Sequence, residues 1–316
     1  MHLQRVSKLI VFILISGFSS SVFCQEQTTA SFPDSNTVMQ QLFAFSADSM
    51  QGRSTKQLLG INKARNFIIN SLVHSGVPAY VPDYTQSFEI PLKSQDTVMG
   101  VNILAYVEGY SSDEIIVISA HYDHVGMKDS VQVFNGADDN ASGTIALLEM
   151  AKYFSANQPE HDIIFAFFDA EEIGLLGAKH FVSSSVLDSS LVKLNVNMDM
   201  VARGDKNELF AVGTYFYPQL KVYIDEAAQG KGIKMIYGAD KPKDKPNWVQ
   251  SSDHGAFHSM GIPFVYFGVD DHKDYHKITD TADKVNPIFY LNAIRLIQEA
   301  VLIFDANLEY VTLKKK

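Results

Sequence analysis

Two glutamates stand side by side in Asp169-Ala170-Glu171-Glu172, directly behind the apolar run Ile163-Ile164-Phe165-Ala166-Phe167-Phe168. Adjacent side chains at a strand end point in different directions. One carboxylate can therefore bind a cation while its neighbour handles a proton. A solvated acidic pair, favoured by the dipole of the helix that follows, is the competing explanation. Residues elsewhere in the chain decide between the two. A second apolar run, 114–120, leads into His121-Tyr122-Asp123-His124, and a third, 194–198, ends in Asp199. Between the first two ends lies Asn135-Gly136-Ala137-Asp138-Asp139-Asn140-Ala141-Ser142-Gly143, which brings Asp138. The late segment 271–281 adds a nitrogen donor, His276. Ionised groups flanked by apolar sequence are costly to bury unless they are paired or bound to metal.

Such residues need elements to hold them. The runs 114–120, 163–168, 194–198 and 262–267 have the length and β-branched or aromatic content of buried strands. Shorter or weaker patterns at 84–90, 101–107 and 210–213 add further strands. Helical spacing of apolar residues marks segments from Ser35, then 61–72, 144–154, 175–182, 218–228 and 288–308. Asp139 or Asn140 is a natural cap for the helix at 144–154. Strands alternating with helices predict an α/β fold of three layers, a mostly parallel mixed sheet with helices on both faces. Parallel neighbours carry His121, Glu171, Glu172 and Asp199 to one edge, where open α/β sheets hold their sites.

The first 24 residues combine Arg5 and Lys8, a short apolar core and a small-residue stretch, the composition of a secretory signal peptide. Lipid anchoring at Cys24 is the weaker alternative, because Ser21-Val22-Phe23 fits that signal poorly. Cys24 is the one cysteine in the chain. The exported part would then hold metal only through His and carboxylates. Residues 25–33 read as a disordered leader, 34–310 as one domain and 311–316 as a basic tail. No run after the signal reads as a membrane helix. The formal charge is −10, which disfavours nucleic-acid and anionic-membrane partners. A monomer is expected.

Five motifs, AHYDH, NGADDNASG, FDAEEIG, NMDM and YHKITDT, together resemble the exported co-catalytic di-zinc aminopeptidases of the bacterial leucyl aminopeptidase type. The resemblance covers nearly all of the chain after the signal and includes the Gln-Gly-Arg ending at Arg53. It implies the zinc-peptidase (phosphorylase/hydrolase-like) fold, two Zn2+ per chain and peptide substrates with a free N-terminus. It also implies His121, Asp138, Glu172, Asp199 and His276 as metal ligands. In this assignment Asp138 bridges, Asp199 and His121 serve one metal, and Glu172 and His276 serve the other. Glu171 is implied as general base and Asp123 as the acid that orients His121. The family's cis peptide bond is expected at Asp138–Asp139. His124, His254, His258 and His272 lie close to these motifs, where a supporting role competes with ordinary packing. Tyr275 and Met200 are candidates for the specificity pocket. A single-zinc glutaminyl cyclase of the same fold and a non-catalytic ectodomain are the alternatives. The full ligand set argues against both.

Overall fold

The computed structural model describes residues 32–91 and 96–312. The expected signal peptide and most of the leader and tail lie outside them. In chain order the elements are α1 (Ser35–Phe45), α2 (Leu58–His74), β1 (Thr85–Pro91), β2 (Thr97–Val107), β3 (Ser111–His121), β4 (Gly126–Met127), β5 (Val133–Phe134), α3 (Gly143–Ala156) and β6 (His161–Phe168). Then come α4 (Leu176–Ser183), β7 (Val192–Met198), β8 (Glu208–Val212), α5 (Leu220–Ala227), β9 (Lys234–Tyr237), α6 (His254–Ser259), β10 (Phe264–Gly268), α7 (Pro287–Ala306) and α8 (Leu308–Val311).

Eight strands form one mixed sheet in the order β1-β2-β6-β3-β7-β10-β8-β9. The central four, β6, β3, β7 and β10, are mutually parallel. Strand β2 runs antiparallel to β6, and β8 antiparallel to β10. The alternation of a strand divides the core in two. Ile116, Ile118 and Ala120 of β3, with Ile163, Phe165 and Phe167 of β6, face the layer of α1, α2, α3, α5 and α7. Ile115 and Val117, with Ile164, Ala166 and Phe168, face α4 and α6 on the other side. Burying both faces explains why these strands read as unbroken apolar runs.

The residue at the N-cap of α3 is Ser142, not the expected Asp139 or Asn140, although Asn140 Oδ1 accepts from Gly143 N at 2.9 Å just ahead of the helix. The edge strand β9 and the short helix α6 escaped the sequence reading. The first is four residues of half-buried chain, and the second is too short to show a period. One expectation is corrected. By length and composition Pro287–Ala306 is apolar enough to cross a membrane. Asn292, Arg295 and Glu299 interrupt the run and hid this in sequence. Here α7 packs Phe289, Ile294, Ile297 and Phe304 into the core.

Candidate metal centre

The parallel register delivers the site. His121, the last residue of β3, pairs with Phe168 of β6, so Asp169 to Glu172 leave the sheet beside it. On its other side β7 ends at Met198, one residue before Asp199. The His121 ring is buried, with Nε2 3.3 Å from Asp199 Oδ1. Its Nδ1 lies 3.2 Å from the Asp123 carbonyl oxygen.

A left-handed residue, Ala170 (φ 61°), turns the chain after β6. Asp169 anchors that turn from beneath. It is fully buried and is held by Arg65 at 2.7 Å, Thr55 Oγ1 at 2.6 Å and Val101 N at 3.0 Å. Asp123 anchors it from the side, accepting from Glu171 N at 3.0 Å and Glu172 N at 3.4 Å. Burial pushes the Asp123 carboxyl up to about 6. The two glutamates then diverge as their adjacency suggests. Glu171 joins His121 and Asp199 in one cluster, while Glu172 joins His124 and Asp139 in a second. His276 completes the second cluster, its Nε2 3.2 Å from Glu172 Oε2.

The loop before α3 corrects the sequence reading. The carboxylate between the clusters is that of Asp139, not Asp138. Asp139 Oδ1 is 3.6 Å from His121 Nε2, and its Oδ2 is 3.0 Å from His276 Nε2. Asp138 points the other way, accepting from Ala202 N at 2.7 Å and lying 3.2 Å from His272 Nε2. The cis peptide bond is likewise one residue later than expected, at Asp139–Asn140. Neighbouring residues on this kinked segment project to opposite sides. Spacing alone could not choose between two consecutive aspartates.

Supports of this loop were not read from sequence. Asp280 accepts from the backbone N–H groups of Asp138 and Asp139, each at 3.1 Å. Arg53, fully buried, donates to the carbonyls of Tyr122 (3.0 Å), Asn135 (2.6 Å) and Gly136 (2.8 Å). One guanidinium therefore ties the chain after β3 to the loop before α3. Asp280 lies within the YHKITDT motif, and Arg53 ends the Gln-Gly-Arg loop. Position was the available signal for both. Tyr275 is partly buried and stacks on His276 with ring centroids 4.0 Å apart, and Met200 is buried.

The donor set fits a cation. His121 Nε2, Asp139 Oδ2, Glu172 Oε1 and Asp199 Oδ1 are all buried and have no hydrogen-bond partner. Buried polar atoms are otherwise almost always paired. Burial, reinforced by Asp199 and Asp253, pushes the Glu171 carboxyl well above the usual range. The carboxylates of Asp139 and Glu172 beside its ring raise His276 to about 10.

The chain is 31% identical over 213 residues to aminopeptidase YwaD of Bacillus subtilis (strain 168), covering 64% of this chain and 42% of that protein. The chain thus spans under half the length of that relative. The structure of BSAP, a zinc aminopeptidase from Bacillus subtilis, matches with TM-score 0.54 and 26% identity, over 71% of this chain and 52% of that one. The fold is shared with the glutaminyl cyclase of Fimbriiglobus ruber, at TM-score 0.72 and 20% identity, over 87% of this chain and 97% of that one. The model of Peptidase family M28 matches residues 102–301, a span holding His121, His124, Asp139, Glu171, Glu172, Asp199 and His276, and the chain belongs to that family.

Proposed function

We propose that this chain is a zinc-dependent aminopeptidase that removes N-terminal residues from peptides, with two cations held at the carboxyl edge of the sheet. The observation that carries the reading is the placement of Asp139, whose two oxygens face the two adjoining donor clusters. His121 and Asp199 would hold one cation, Glu172 and His276 the other, and Asp139 would bridge. When bound, zinc would supply the Lewis acidity that polarises a peptide carbonyl and eases deprotonation of the attacking water.

The remaining work falls to the protein. Glu171 lies at the edge of the first cluster, partly exposed, with a carboxyl that burial makes more basic. In this reading it takes one proton from the attacking water as oxygen adds to the carbonyl carbon. It returns that proton to the nitrogen as the C–N bond breaks. Asp123 fixes the turn from which Glu171 projects, through the amide N–H of Glu171 itself. The surplus of carboxylates favours a protonated α-amino group on the substrate. Arg203, which could otherwise receive a substrate carboxylate, is engaged by Asp274 at 3.0 Å, which speaks against a carboxypeptidase. Export by the N-terminal segment belongs to the same reading.

Paired reporters test it: an aminoacyl-anilide and its N-acetylated form, with and without chelator. Cleavage of the free amine alone, lost on chelation and restored by zinc, is expected. Release of ammonia from an N-terminal glutaminyl peptide, with no residue removed, would point to a cyclase instead.

A further inference from the structure

Resting on the two-cation reading, we propose that His124 Nδ1 is a further ligand to the second cation, so that this position holds two imidazoles beside Asp139 and Glu172. The histidine stands three residues beyond His121, and its ring is fully buried at the bottom of the cluster. Its Nδ1 lies 2.8 Å from Glu172 Oε1 and 3.6 Å from Asp139 Oδ2.

Hydrogen bonding does not account for these approaches. Nδ1 and Glu172 Oε1 are both buried, and neither has a hydrogen-bond partner despite their separation. Two atoms that are close but not aimed at each other are arranged as ligands of a common ion are. The four donors stand at or inside the spacing of ligands on one ion, three of the separations being shorter than that spacing. Donors about 2.0–2.2 Å from a tetrahedral zinc stand roughly 3.3–3.6 Å from one another. The four separations joining His124 and His276 to Asp139 and Glu172 are 2.8, 3.6, 3.0 and 3.2 Å. The rings of His124 and His276 meet edge to face at 5.8 Å, as neighbours on one centre can.

The backbone makes room for this ring. Gly136 has φ 55°, and a Cβ there would lie 2.5 Å from His124 Cδ2 and 2.1 Å from the Asp139 carbonyl oxygen. His124 N donates to the Arg53 carbonyl at 3.2 Å, fixing the chain that carries the ring. The two positions therefore differ in chemistry. The first has one imidazole, from His121, and the second has two.

Cadmium-113 can replace zinc as a spin label for ligands. The full chain, labelled with nitrogen-15 in histidine, is stripped with chelator and loaded with cadmium-113 chloride. Three cadmium-split imidazole resonances are expected, from His121, His124 and His276, with the one from His124 of the Nδ1 type. His124→Gln should leave two and weaken one of the two binding steps at least tenfold, with the other unchanged. Two split resonances in the parent protein, with two cadmium ions bound, would overturn the role of His124 and leave the two-cation reading standing. Persistence of all three in the variant would also overturn it. A parent protein that binds no cadmium would overturn both. The count in the parent does not depend on the variant folding.

Discussion

Asp138 and Asp139 are chemically identical and adjacent, yet one faces the donor clusters and the other faces His272 and Ala202 N. Asp139→Asn should therefore reduce cation binding by at least an order of magnitude. Asp138→Asn should leave the number of bound cations unchanged. Isothermal titration of the two variants checks this, and equal losses would contradict it. Glu171 and Glu172 divide in the same way. Glu171→Gln should keep its cations and lose about 10²–10⁴ in kcat, whereas Glu172→Ala should lose cation as well as rate. A Glu171→Gln variant within a few-fold of the parent rate would place the base elsewhere. His276 supplies a pH test. Its partners Asp139 and Glu172 raise it to about 10, so at neutral pH it carries a proton that a cation must displace. Cation binding should release protons and strengthen as pH rises, levelling only near pH 10 where His276 loses its own proton. It is checked by the dependence of binding enthalpy on buffer ionisation, and independence from buffer would contradict it.

At the scale of elements, the parallel strands were the most legible part of the chain. Both faces of β3, β6, β7 and β10 are buried, so their sequences are near-continuous apolar runs with sharp ends. His121, Glu171, Glu172 and Asp199 stand at or just beyond those sharp ends. Loops were less legible, because their side-chain directions depend on backbone turns that spacing does not encode. The left-handed Ala170 and the kinked segment Ala137–Ser142 are two such turns. Arg53 was legible only as part of a motif. Its meaning comes from long-range contacts to Tyr122 and Gly136, 69 and 83 residues away in the chain. Arg53→Met would leave four backbone carbonyls, of Phe45, Tyr122, Asn135 and Gly136, without their charged donor. An unsatisfied buried group costs about 1–3 kcal/mol, so the variant should lose at least ~2 kcal/mol in denaturant unfolding. A midpoint equal to that of the parent would show that the two loops hold without it.

Across the whole molecule, the acidic balance is concentrated in function at one sheet edge, where buried carboxylates and histidines meet without hydrogen-bond partners. A fold that buries such groups is expected to gain stability from the ions that neutralise them. A ligand that binds only the folded state adds about 2.7 kcal/mol at a hundred times its dissociation constant. An anomalous difference map at the zinc edge, from crystals of the zinc-loaded protein, tests the two-cation centre most directly. Two peaks roughly 3.5–4 Å apart are predicted, with Asp139 between them and Glu171 bound to neither. A single peak, or a pair bridged by Asp138, would contradict a two-cation centre built on Asp139.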